Sequence, residues 1–240
     1  MNIFQYIDIA SKRLILGETL MAPPFLPSFP PQVVEGISSQ LGLLFIPEKV
    51  SGGNVCLAHT EEVKPAYRTV FSSSDLLNYL YAVWHSSSYI TKHEQFVKDD
   101  LSSLSYPKDA EDFWRLVDLG GQLRLLHMRE DSGLESSLHP FPIMGDKIVS
   151  EVRFVADGEV AAREAESSPA CIGRIYINES QYFDEVPTSV WNFEIDGEAP
   201  AQIWLKERKG QALKSVDILH YQKILVALTE TGRLVKEIDG

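Results

Sequence analysis

The chain is 240 residues long, 44% hydrophobic and 23% charged, and its 34 acidic residues outnumber 22 Lys and Arg to give a net charge of −12. That length buries one core, or a core with a helical appendage, while the acidity disfavours tight stand-alone binding to phosphate backbones without excluding local base contacts. No apolar run approaches the roughly 20 residues of a bilayer span, and Cys56 and Cys171 are too few and too far apart for a disulfide framework or a zinc cluster. The opening residues lack the basic, apolar and small-residue succession of a secretion signal, so a reducing cytoplasm is the expected location.

Residues 1–74 read as irregular. The run PPFLPSFPP at 23–31 is too proline-dense for a helix interior, and SGGN at 51–54 reads as a turn. LGLLFIP at 41–47 fits a buried strand, although helix and strand are hard to separate at that length. Residues 75–130 read as helical. Leu76, Leu80, Val83 and Trp84 recur at helical spacing, with Ser74 or Asp75 as the expected N-cap. A second helix is expected from near Asp109, where Asp109, Glu111 and Asp112 suit the positive end and Phe113, Leu116, Val117, Leu123 and Leu126 form an apolar stripe. Gly120 and Gly121 weaken it by about 1 kcal/mol each and admit close packing.

Residues 143–205 read mostly as strand. Ile175 and Ile177 alternate with Arg174 and Tyr176, and Trp191, Phe193 and Ile195 alternate with Asn192 and Glu194. Residues 156–170, small and acidic, read as an exposed loop or short helix. A closing helix is expected from about Ser215 to Glu237 on the spacing of Ile218, Tyr221, Leu225, Leu228 and Val235. The predicted fold is α+β: helices packed on a mainly antiparallel β core and closed by a C-terminal helix, over residues 75–240, after a proline-rich segment at 1–74.

The stretch 173–210 concentrates Tyr176, Tyr182, Phe183, Trp191, Phe193 and Trp204 with amides, then ends in Lys206, Arg208 and Lys209. Aromatics, amides and guanidinium groups are what a surface uses to read base edges and hold a phosphate backbone. Lys206, Arg208 and Lys209 are the candidate phosphate contacts; read plainly, they are a solvated turn before Gly210. Asn192 and Gln202 are candidate adenine readers if their strands face a groove, and otherwise satisfy sheet edges. Tyr182, expected in a loop between strands, suits a groove wall, whereas Tyr176, Trp191 and Trp204 read as packing. His85, His127 and His220 read as ordinary helix histidines, since no HExxH pair exists. Ser86, Ser87 and Ser88 have no nucleophile-elbow glycines around them, and adjacent Asp99 and Asp100 diverge on any regular backbone.

The same stretch, GRIYINESQYFDEVPTSVWNFEIDGEAPAQIWLKERKG, resembles the end of the C-terminal specificity domain of type ISP restriction-modification enzymes. LLNYLYAVWHSSSYITKHEQFVKDDLSSLSYP, DFWRLVDLGGQLRLLHM, FPIMGDKIVSEVRF and DILHYQKILVALTETGRLVKEID extend the resemblance over roughly residues 75–239. The resemblance implies a target-recognition domain for double-stranded DNA that works with a methyltransferase, translocase and nuclease. S-adenosylmethionine, ATP and Mg are then expected only in those catalytic domains. Nothing here supplies them: there is no GxxxxGK[ST] loop, no Gly-rich S-adenosylmethionine turn, and Ala22 precedes Pro23-Pro24-Phe25 where adenine methyltransferases carry Asn-Pro-Pro-Tyr. The chain is thus expected to be non-catalytic. It departs from the family pattern at Ser87, Ile90, His93 and Asp196-Gly197-Glu198-Ala199, which reduces phosphate and base contacts there. The alternative is an acidic interaction module, or a DNA mimic, that docks on restriction-modification subunits.

Overall fold

The computed structural model describes residues 28–47, 68–87, 106–128, 138–157, 171–194 and 197–240. These fall into two compact units, one formed by the described residues up to Leu125 together with Leu234–Gly240, the other by Leu126–Arg233. The predicted Ser51–Asn54 turn, the adjacent acids Asp99 and Asp100, and the departures at Ile90, His93 and Asp196 lie outside the described residues.

The described part of the first unit begins with a helix that the proline count concealed. Helix α1 spans Pro31–Leu41, with Pro31 at its first helical position, where a missing N–H costs nothing, and Gly42 closing it at φ 65°. Its inward residues are Val33 and Ile37. Strand β1, Leu44–Ile46, pairs in parallel with β2, Val70–Ser72, in the register Leu44↔Val70 and Ile46↔Ser72. The strand predicted near residues 41–47 therefore exists, but its Leu44 is exposed rather than buried.

Strand β2 turns directly into α2, Ser73–His85. The cap is Ser72, two residues earlier than predicted: its hydroxyl accepts from the Asp75 N–H at 3.2 Å, while the Asp75 carboxylate accepts from the Ser72 N–H at 2.7 Å. Asp75 is thus the reciprocal member of a capping box and not the cap itself. Helix α3, Ala110–Met128, buries the whole predicted stripe from Phe113 to Leu126. Gly120 is required by the approach of α2, since a Cβ there would lie 1.9 Å from the Asn78 carbonyl oxygen. Phe71, Tyr79, Phe113 and Trp114 form the aromatic centre of this unit, with ring centroids 5.0–5.5 Å apart between neighbours.

The second unit is built on a three-stranded antiparallel sheet of β3 (Arg153–Ala156), β4 (Ile172–Tyr176) and β5 (Tyr182–Pro187), in that spatial order. Two short helices follow, α4 at Thr188–Trp191 and α5 at Pro200–Lys206, and then the long α6, Ser215–Asp239. One sheet face carries Ile175, Phe183 and Val186, all fully buried. Phe183 packs on Tyr221 of α6 at 4.7 Å, and Tyr221 stacks on Trp204 of α5 at 5.0 Å while donating its hydroxyl to the Ala201 carbonyl.

Residues 188–194 and 197–206 depart from the predicted strands. Pro200 at the first turn presets φ for a helix, and Ala201, Trp204 and Leu205 then share one buried face at i, i+3 and i+4. The alternation of Trp191 and Phe193 had suggested a strand, but Trp191 ends a helical turn with its ring stacked on Phe154 at 6.0 Å. Among the described residues no helix is long and apolar enough to cross a membrane.

Candidate nucleic-acid interface

Period-two alternation sends Ile175 of β4 into the core and turns Ile172, Arg174 and Tyr176 outward. In the ladder, Arg153 of β3 faces Tyr176, Val155 faces Arg174, and Tyr176 faces Tyr182 of β5. The outer face therefore carries a row of two tyrosine rings flanked by two guanidinium groups. The Arg153 guanidinium lies 4.0 Å from the Tyr176 ring centre, the Tyr176 and Tyr182 rings are 5.1 Å apart, and the Arg174 guanidinium lies 5.0 Å from the Tyr182 ring.

A bulge sets the far end of this row. The β4–β5 register shifts between Gly173 and Ile175, so Asp184 and Glu185 together oppose the single residue Arg174. Glu185 takes φ 59° to accommodate the extra residue, and its N–H is held by the Asp184 carboxylate at 3.0 Å. That same carboxylate accepts Arg174 Nε at 3.0 Å, while Asp157 lies 3.6 Å from Nη1. Arg153 has a looser acidic neighbour in Glu151, at 3.9 Å.

The basic cluster after α5 is arranged differently. Arg208 folds back over Trp204, 3.6 Å from the ring centre, and donates Nη1 to the Trp204 carbonyl at 3.0 Å. Trp204 is buried between Arg208, His220 and Tyr221, so the Arg208 fork packs a core tryptophan. Lys206 and Lys209 are exposed. Lys206 donates to Gln202 Oε1 at 3.1 Å, and Gln202 Nε2 donates to the Trp191 carbonyl at 3.2 Å.

Of the residues singled out from sequence, Asn192 and Gln202 are not on strands. Asn192 ends α4 as an exposed turn residue, and Gln202 lies in α5 with both ends of its amide engaged inside the chain. Tyr182 is not in a loop but opens β5, where the Asn178 turn precedes it and its ring joins the outer row. Arg153 and Arg174 were not among the sequence candidates. Their signal was the Arg-x-Tyr alternation at Arg174 and Tyr176, which marks residues on one strand face, but pairing with Arg153 requires the register.

The two cationic regions flank one segment. Val149 donates to the Gln211 carbonyl and accepts from Gly210, on the side of the basic turn, while Ser150 donates to the Ile177 carbonyl at the end of β4. Gln181, buried, pins this arrangement by accepting from the Lys147 N–H and donating to the Ile143 carbonyl.

The histidines have structural partners. His85 bonds the Tyr81 carbonyl, His127 bonds the Thr231 hydroxyl, and His220 stacks on Trp204 at 5.6 Å. Ser86 donates to the Val83 carbonyl and Ser87 to the Asp239 carboxylate. Among the described residues no group of three or more His, Cys, Asp or Glu is placed to hold a metal ion.

The family model of the Type ISP C-terminal specificity domain matches residues 38–237. Among curated proteins no sequence matches the chain significantly. Among solved structures, a nuclease-deletion mutant of the Type ISP restriction-modification enzyme LlaGI, in complex with a DNA substrate mimic, is similar at 18% identity and a TM-score of 0.41, covering 71% of this chain and 16% of that one. The ATP-dependent Type ISP restriction-modification enzyme LlaBIII bound to DNA is similar at 15% identity and 0.46, covering 70% and 11%. The DrdV–DNA complex is similar at 16% identity and 0.45, covering 70% and 18%. The chain therefore spans less than a fifth of the length of each of these proteins.

Proposed function

This chain belongs to the family of Type ISP C-terminal specificity domains, and we propose from that membership that it recognises a DNA target sequence for a restriction-modification enzyme. The observation that carries the reading is the outer sheet face, where Arg153, Tyr176, Tyr182 and Arg174 form one continuous row. Guanidinium groups and flat rings held on a rigid strand scaffold suit contact with base edges and the sugar-phosphate wall of a groove. The exposed Lys206 and Lys209, beyond the Val149–Ser150 segment, supply phosphate contacts that set register without reading sequence.

In this reading the chain is the non-catalytic address of a larger machine. Adenine methylation, ATP-driven translocation and cleavage, with S-adenosylmethionine, ATP and Mg as their cofactors, belong to the methyltransferase and helicase-nuclease portions, and those portions also supply most of the non-specific affinity. The net charge of −12 fits that division of labour, since salt-dependent affinity scales with the phosphates a protein neutralises.

The test is selection from a randomised duplex pool by the purified chain at low salt. Enrichment of one short motif, with affinity that falls as salt rises, is the expected result. A pool that emerges unchanged, with no measurable retention of duplex, would remove the reading and leave an acidic docking module in its place.

A further inference from the structure

We propose that Arg174 reads a guanine in the target sequence, and that Asp184 is the positioning residue that aims it. The proposal deepens the reading of this chain as a DNA-recognition domain and rests on it. Its starting point is a difference in how the arginines are held. Arg208 is folded onto a buried tryptophan, with its fork donating to a backbone carbonyl. Arg174 stands on the outer face of the sheet with 37% of its side chain exposed, and its contacts fix its orientation without covering it.

Three contacts do the fixing. Asp184 takes Nε at 3.0 Å, Asp157 stands 3.6 Å from Nη1, and the Tyr182 ring lies 5.0 Å from the guanidinium. A guanidinium has five N–H donors in one plane, so two carboxylate contacts do not exhaust it. What they remove is rotamer freedom, the main cost of ordering an arginine on binding. A planar fork held at an exposed strand surface matches the O6 and N7 acceptors that guanine presents in the major groove, the commonest specific arginine contact.

The bulge is the second argument. A regular ladder would place one residue of β5 opposite Arg174, but the shift between Gly173 and Ile175 places Asp184 and Glu185 there. Glu185 adopts φ 59°, an uncommon conformation for a residue with a side chain, and the Asp184 carboxylate caps its N–H at 3.0 Å. Asp184 therefore holds the bulge and the arginine with one oxygen. Bulges commonly re-aim a side chain next to a functional site, and this one sets the acid that aims Arg174.

The experiment compares the wild-type chain with Arg174→Ala, Arg174→Lys and Asp184→Asn in duplex-pool selection at low salt, each variant first checked by thermal melting. The expected result is a guanine selected by the wild type at one position and lost in both Arg174 variants, with preference there falling about tenfold or more. Arg174→Lys keeps the charge, so its overall affinity stays within about twofold of wild type while its preference does not. Asp184→Asn removes an acid, so it binds random duplex more tightly and yet discriminates less at the same position. A role in packing or in general charge would not move those two quantities in opposite directions. If both Arg174 variants select the wild-type motif, with affinity unchanged or uniformly weaker, Arg174 is a phosphate contact or a structural ion pair and the proposal is overturned. If the wild type itself enriches nothing, the DNA-recognition reading fails first. Should Arg174→Ala fail to fold, Arg174→Lys alone carries the same test.

Discussion

The outer sheet face and the basic turn after α5 use the same residue types for opposite purposes. In both, an arginine lies over an aromatic ring, with an acid beside it. At the turn the ring is Trp204, buried at 1% exposure, and Arg208 seals it. On the sheet the rings are Tyr176 and Tyr182, only half-buried, and the arginines remain at the surface. The lesson is that proximity of cation and ring does not identify a reader. What separates the two cases is whether the ring is part of the core, because that decides whether the arginine is committed to packing or only oriented by it.

Deleting the two rings in turn separates a core platform from a surface one. Trp204→Ala removes the platform shared by Arg208, His220 and Tyr221 and is expected to cost about 3–5 kcal/mol of stability, the range for large aromatic deletions in a core. Tyr182→Ala removes cross-strand contacts on an exposed face and is expected to cost no more than about 1 kcal/mol. Urea unfolding followed by tryptophan-independent circular dichroism reads both. Equal costs would mean that the sheet row is structural too, and the functional distinction would be lost.

A smaller effect separates the cations of the turn from one another. Arg208→Ala is expected to lower stability by about 1 kcal/mol, since its guanidinium covers a buried ring while 28% of its own side chain stays exposed. Lys206→Ala with Lys209→Ala should leave stability within about 0.5 kcal/mol. The double lysine variant is instead expected to reduce the slope of log affinity against log salt by up to about 2, with the selected sequence unchanged. A changed sequence preference would place those lysines at base edges and not at phosphates.

Much of this arrangement was legible in the sequence, and the failures have physical causes. Helical periodicity survives context well, so the stripes of α3 and α6 were read nearly to their ends. Resemblance named the family. Short elements were lost where a local rule competes with a tertiary one. Proline density at 23–31 argued against helix, yet Pro31 is the first residue of α1, where proline is favoured. Trp191 and Phe193 alternate as in a strand, yet Trp191 ends the helical turn Thr188–Trp191 with its ring stacked on Phe154, and Phe193 lies beyond that turn. The basic cluster was visible, but its division into one packing arginine and two exposed lysines depends on where Trp204 points. The Arg153–Tyr176–Tyr182–Arg174 row was invisible for a stricter reason. It is a product of strand register and of one bulge, and neither is encoded in the local pattern of any single strand.

The smallest expected effect concerns the support beneath that row. His139 lies beside the bulge, and burial pushes its imidazole below the ordinary histidine range, opposed by hydrogen bonds to the Glu185 and Asp184 backbone and by the Glu185 charge. Its own carbonyl accepts from Gln222 of α6, and the next carbonyl, that of Pro140, accepts from the Asp184 N–H at 2.8 Å. Because the folded state lowers this pKa, the folded state binds the proton less readily than the unfolded chain does. The associated stability is complete above the ordinary value near 6.5 and is lost as pH falls through the depressed one. The urea midpoint of the wild type should therefore drop between pH 7.5 and pH 5.5. His139→Gln should flatten that drop. Since the histidine buttresses the bulge and not the turn, acidification should also blunt selection at the position assigned to Arg174 while leaving the salt slope contributed by Lys206 and Lys209 intact. A loss of both together would mean that the sheet face and the basic turn respond as one surface, and the contrast between an aimed arginine and merely attractive lysines would have no basis.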